Sequence, residues 1–148
     1  MRRLSYLAVG LLLVLVLVTS TFSPATAQSD QTASEKRLVR HGKYLVERVG
    51  VCADCHSPRN ERGEFIRARW LEGSQLFFKP IVPIPDWADT AIPIAGLPGW
   101  NEADAIKFLA TGIGLGGKPA RPPMPAFRFT EKDAAAVVAY LKSLKPAK

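Results

Sequence analysis

The sequence predicts an all-α domain with long loops, and three observations carry that prediction. Apolar residues recur at helical spacing near both ends: Leu38, Gly42, Leu45 and Val49 in one stretch, Ala134, Val137, Val138, Leu141 and Leu144 in the other. No stretch alternates apolar and polar residues cleanly enough for a sheet, and no internal repeat is visible. Between the helical ends, prolines and glycines are dense enough to exclude long regular elements from most of the middle.

The 148-residue chain opens with a leader. Met1-Arg2-Arg3 is basic, Leu4 to Val18 is almost unbroken apolar sequence, and Ala25-Thr26-Ala27 is a small-residue cleavage pattern. Residues 1–27 therefore read as a signal peptide. The apolar run falls short of the roughly 20 residues that a spanning helix wants, and an uncleaved anchor is the second reading. The expected location is periplasmic, or membrane-anchored facing the periplasm on the second reading. Cleavage leaves one domain's length and lowers the formal net charge from +7 to about +5.

Residues 28–34 are polar and expected to form a flexible tail, with the folded domain spanning 35–146. The first helix is expected from about Glu35 to Val49. Gly42 lies within its apolar stripe, where it destabilises a helix relative to alanine; close approach of another helix would explain it, and a merely tolerated glycine is the alternative. Gly50 ends the helix.

Next comes Cys52-Ala53-Asp54-Cys55-His56, a C-x-x-C-H motif holding the only two cysteines. Residues three apart face the same side of a helical turn. Both sulfurs can then reach one edge of a porphyrin and form thioethers with its two vinyl groups, while His56 reaches the iron. A structural zinc site wants a second ligand pair, and the only other histidine is His41. A thioredoxin-like pair wants a preceding strand, where this sequence has a helical stripe. A disulfide across one turn would constrain almost nothing. The motif predicts one covalent haem c on Cys52 and Cys55, with His56 an axial ligand. An exported chain usually gains structural disulfides; with both sulfurs taken, the haem itself is the crosslink and much of the core.

From Ser57 to Gly99 the signals weaken. Trp70, Leu71, Leu76, Phe77, Phe78, Ile81 and Ile84 either pack on a flat apolar cofactor or form ordinary core. A second helix is clear, with Asn101 as N-cap, Ala105, Phe108 and Leu109 on its apolar face, and Gly112 as its stop. The Gly- and Pro-rich run from Gly112 to Pro125 suits a loop folded close over a cofactor face, and it lacks the phosphate-binding pattern. The last helix opens on Thr130-Glu131-Lys132-Asp133, a capping box with Asp for the usual Glu. Tyr140 lies beside its stripe, Lys142 and Lys145 suit its dipole, and Pro146 closes it.

The second iron ligand follows by elimination. Beyond the leader the one methionine is Met124, in Arg121-Pro122-Pro123-Met124-Pro125. Prolines fix that backbone, and a methionine so held is poorly placed for gap-filling in a helical core. His41 is the rival, but it sits off the first helix's stripe. His/Met ligation raises the reduction potential relative to His/His and leaves no open iron position for a substrate. The expected function is electron carriage, not catalysis. Two alternatives are a tightly held cytochrome subunit of a dehydrogenase or oxidase, and a haem enzyme or sensor with an open sixth site. Arg59, Trp70, Trp87 and Trp100 are candidates to hydrogen-bond haem propionates, with simple packing as the alternative for each. Lys118, Arg121 and Arg128 surround the Met124 loop and either steer an acidic partner or only solubilise.

The first helix, Cys52–His56, the proline-flanked Met124 and the final helix with Tyr140-Leu141 together resemble the class I cytochromes c. That resemblance implies the cytochrome c fold, with the first and last helices crossing around one covalently bound haem beside a small residue and an aromatic; Gly42 and Tyr140 would hold those positions. Gly42-Lys43-Tyr44-Leu45-Val46, Cys55-His56-Ser57-Pro58-Arg59, Gly99-Trp100 and Met124-Pro125-Ala126-Phe127 are similar to haem domains in cytochrome subunits of periplasmic dehydrogenases, such as the membrane-bound alcohol dehydrogenases. Those subunits usually carry three haem motifs and this chain has one, and Ile84 to Leu97 departs from their pattern. The partners expected are redox proteins with an acidic docking face, not nucleic acid, with membrane association only through a partner or an uncleaved leader.

Overall fold

The computed structural model describes residues 24–145. Most of the leader, and the closing Pro146, lie outside the described residues. Contacts divide the chain into residues 1–34 and 35–148, and every feature discussed below belongs to the second unit unless stated.

Helix α1 spans Pro24–Tyr44 and continues as a wider π turn over Leu45–Val49. It starts well before Glu35, so residues 28–34, expected as a flexible tail, are helical. The physical reason is permissive sequence: proline suits a helix's first turn, and no proline or glycine follows until Gly42. In the π turn the Gly50 N–H donates to the Leu45 carbonyl at 2.7 Å. The extra residue per turn rotates the stripe. Leu45 and Val46 are buried, whereas Val49, on the expected stripe, is 51% exposed.

Helix α2 is the single turn Ala53–His56. Helix α3, Glu102–Thr111, begins where the Asn101 side chain accepts the Asp104 N–H and ends at Gly112, which has φ +73°. Helix α4, Glu131–Ser143, is capped by Thr130, whose Oγ1 accepts the Asp133 N–H at 3.1 Å. Lys142 reaches Glu102 on α3 at 2.7 Å, which helps hold the packed α3–α4 pair.

Helices α1 and α4 meet at Gly42. A Cβ there would overlap the Ala136 carbonyl and come 2.9 Å from Tyr140 Cβ. The close approach inferred from this glycine is therefore real, and its neighbour is the α4 backbone. Beside the contact, the Tyr140 hydroxyl donates to Glu47 at 2.6 Å. Burial, then this carboxylate, push the Tyr140 phenol up to about 12.

The middle of the chain folds through isolated long-range contacts. Strands β1 (Ser74–Gln75) and β2 (Thr90–Ala91) form a two-residue antiparallel pair, too short to show in an alternation pattern. Leu71 is fully buried and adopts φ +60°, a conformation that strains a residue with a Cβ. Its bonds hold it there: its carbonyl accepts the Ile94 and Ala95 N–H groups at 2.9 and 3.0 Å, and its own N–H donates to Ser57 Oγ at 2.9 Å. Leu71 joins Leu45, Val46, Val137, Tyr140 and Leu141 in one core cluster.

Candidate functional site

Residues 52–56 form one helical turn, since Cys52 itself has helical dihedrals and its carbonyl accepts the His56 N–H at 2.9 Å. Three further contacts hold the turn. The Cys52 N–H donates to Val46 at 3.1 Å, Ser74 Oγ donates to the Cys55 carbonyl at 2.6 Å, and the Gly73 N–H donates to the His56 carbonyl at 2.8 Å. Gly73 has φ +83°, and a Cβ there would lie 2.8 Å from the Ala91 oxygen, so no side chain fits this close approach to the motif.

Cys52 and Cys55 form no disulfide. Burial pushes Cys52 up to about 11 and also raises Cys55, where Asp54 adds to the effect. Among the described residues no group of three or more His, Cys, Asp or Glu is assembled for a metal ion.

His56 is buried, and its Nδ1 donates to the Ile92 carbonyl at 2.7 Å. That bond assigns the proton to Nδ1 and leaves the Nε2 lone pair free, the arrangement in which an imidazole binds a metal. Burial lowers the His56 pKa, against the opposing pull of the Ile92 bond, so the ring is held neutral. The sequence gives no signal for Ile92, Gly73 or Ser74, because each acts through a backbone group or a contact distant in sequence.

Met124 is half-buried in a turn that its own N–H closes on the Arg121 carbonyl at 2.9 Å. At the far end of this segment Phe127 approaches the motif: a Cβ on Gly50 would lie 3.3 Å from Cys52 Sγ and 3.7 Å from Phe127 Cζ. His41, by contrast, is exposed and pairs with Asp133 at 2.8 Å. Hydrogen bonds from His41 and Thr130 lower the Asp133 carboxyl.

The four candidate propionate donors separate. Trp70 packs edge-on against Phe65 at 5.4 Å. Trp100 lies against Phe108 at 5.2 Å. Arg59 and Trp87 differ: Arg59 Nε and Trp87 Nε1 are buried with no hydrogen-bond partner. The rest of the Arg59 guanidinium is held by Gly63 and Asp54 and lies 3.8 Å above the Phe65 ring. A buried donor left unpaired is costly, by about 1–3 kcal/mol, so two such donors fit an anionic group of a cofactor. The apolar residues separate too. Leu71 and Leu76 are buried, whereas Phe77, Phe78, Ile81 and Ile84 are exposed.

Residues 39–145 match the family model for cytochrome c. The chain belongs to the cytochrome c family. It is thus a class I c-type cytochrome domain that transfers electrons with haem c as its cofactor. A diheme cytochrome c-type protein of Cereibacter sphaeroides is 31% identical over 78% of this chain. The cytochrome c subunit of a quinone alcohol dehydrogenase from Gluconacetobacter polyoxogenes is 30% identical over 84%, and the fructose dehydrogenase cytochrome subunit of Gluconobacter japonicus 30% over 72%. The chain spans about a third or less of these curated relatives: 37%, 28% and 22% of their lengths. Among the described residues, no helix is long and apolar enough to cross a membrane.

Proposed function

We propose that this cytochrome is an exported carrier of one electron on a single haem c, attached through Cys52 and Cys55 and ligated axially by His56 and Met124. The observation that carries this reading is the buried, neutral His56, whose Nδ1 is committed to Ile92 and whose Nε2 is free. When bound, the haem supplies the Fe(III)/Fe(II) couple. The chain supplies the rest. Cys52 and Cys55 hold the ring covalently, so it survives exchange of partners. Arg59 Nε and Trp87 Nε1 offer donors to the propionates. A low-dielectric pocket around the haem would favour the less charged ferrous state. Ligation by both His56 and Met124 would leave no position on the iron for a substrate. Cleavage after Ala27 and periplasmic residence complete the reading, and Lys118, Arg121 and Arg128 are exposed cations suited to an acidic partner.

A second reading, a firmly held subunit of a dehydrogenase, is favoured by the relatives' identity as dehydrogenase subunits. Purification of the exported protein at low and high salt separates the two. A partner retained at both salts supports the subunit, and loss of any partner at high salt supports the mobile carrier. The haem assignment itself is tested by intact mass after expression with the haem-attachment machinery. One covalent haem on a chain that begins at Gln28 is expected; free thiols at Cys52 and Cys55 would refute it.

A further inference from the structure

Arg121 lies three residues before Met124 and is joined to it directly, its carbonyl accepting the Met124 N–H at 2.9 Å. Its side chain reaches across 34 to 35 residues of sequence. Nε donates to the Asp86 carbonyl at 3.1 Å and Nη2 to the Trp87 carbonyl at 3.3 Å. Beside it the Ala88 N–H donates to the Pro122 carbonyl at 2.7 Å. Three hydrogen bonds thus splice the turn bearing Met124 to the segment bearing Trp87, whose buried indole N–H is one of the two unpartnered donors. The planar guanidinium suits this task, because its fork presents donors in fixed directions, and two successive carbonyls receive them.

We propose that Arg121 is a positioning residue, a latch whose side chain holds the Met124 turn closed against residues 86–88 and so keeps the Met124 sulfur on the iron. This rests on Met124 being the sixth ligand. A small ligand such as imidazole binds the iron only when the Met124 turn opens. Its apparent affinity is its intrinsic affinity scaled by the open fraction. Removing the two side-chain bonds raises that fraction, and the Ala88–Pro122 bond alone remains. Each such bond contributes a modest net stabilisation, and exposure of Arg121 keeps the effect of the pair small. The expected gain in imidazole affinity is about tenfold, equivalent to about 1.4 kcal/mol.

The test is imidazole titration of the ferric holoprotein, read by loss of the sulfur-to-iron absorption band, in wild type, Arg121→Gln, Arg121→Lys and Lys107→Gln. Lys107→Gln removes one exposed positive charge elsewhere and should titrate like wild type. Arg121→Gln should bind imidazole about tenfold more tightly while keeping the band in the ligand-free protein. Arg121→Lys keeps the charge without the fork and should lie nearer Gln than wild type. Faster hydrogen exchange at the Ala88 amide in Arg121→Gln gives a second readout, independent of the iron. Wild-type affinity in Arg121→Gln, full recovery by Arg121→Lys, an equal shift in Lys107→Gln, or unchanged Ala88 exchange would each overturn the latch. Absence of the sulfur band from the wild-type holoprotein would instead remove Met124 as ligand, and the latch with it.

Discussion

Gly42→Ala tests the helix crossing through the sign of its effect. In an unobstructed helix, alanine for glycine stabilises by about 1 kcal/mol. Here the added methyl overlaps the Ala136 carbonyl and approaches Tyr140 Cβ at 2.9 Å. Overpacking typically costs about 1–3 kcal/mol, and the upper end applies because the obstruction is the backbone of α4 rather than a side chain that can turn away. The helices must part, and fully buried Val46 and Val138, with Val137 and Leu141, lose contact with their neighbours. The net expectation is a loss of about 2 kcal/mol, or roughly 8 °C in Tm at about 4 °C per kcal/mol for a domain of this size. Urea unfolding of the holoprotein, followed by far-UV circular dichroism, measures it as a lower midpoint at unchanged slope. Adding Ala136→Gly should not rescue the variant, since the obstructing atom is a carbonyl that glycine retains. A gain of about 1 kcal/mol in Gly42→Ala, or rescue by Ala136→Gly, would refute the reasoning.

Two further outcomes are expected. Trp87→Phe keeps the ring against Phe78 but removes the buried unpartnered N–H; with a propionate less well compensated, the ferric state gains and the reduction potential should fall by on the order of tens of millivolts, whereas Trp100→Phe should leave voltammetry unchanged. Tyr140→Phe probes alkaline stability: a phenol held at about 12 against an ordinary 10 contributes stability fully present below pH 10 and lost as pH rises toward 12, so wild type and variant should converge on thermal melting between pH 9 and 11.5, and a constant difference would contradict the assignment.

The helical ends of this cytochrome were legible because their information is local. Periodic apolar residues, Asn101 and Thr130 as caps and Gly112 as a stop act within a few residues of themselves. The Cys52–His56 run was legible for the same reason. Its chemistry requires fixed short spacing, and the structure folds it as one turn. The early start of α1 was missed because a polar composition does not forbid a helix when no breaker intervenes. Val49 was misplaced because a π turn changes the period that the stripe assumes. What stayed unreadable is long-range. His56 is oriented by Ile92, Leu71 is held by Ser57, Ile94 and Ala95, and Arg121 reaches Asp86 and Trp87. Each pairing uses a backbone carbonyl or amide, which every residue possesses, so residue identity carries no mark of it. The same limit kept Trp70, Trp87 and Trp100 equivalent in sequence until burial and partners separated them.

The central claim is that one haem is held covalently by Cys52 and Cys55 between His56 and Met124. The measurement that tests it most directly is the optical spectrum of the purified ferric protein beside that of Met124→Ala. The account predicts a low-spin spectrum with a sulfur-to-iron band in the wild type, and loss of that band with a shift toward high spin in the variant. A high-spin wild-type spectrum, or a band that survives Met124→Ala, would contradict it.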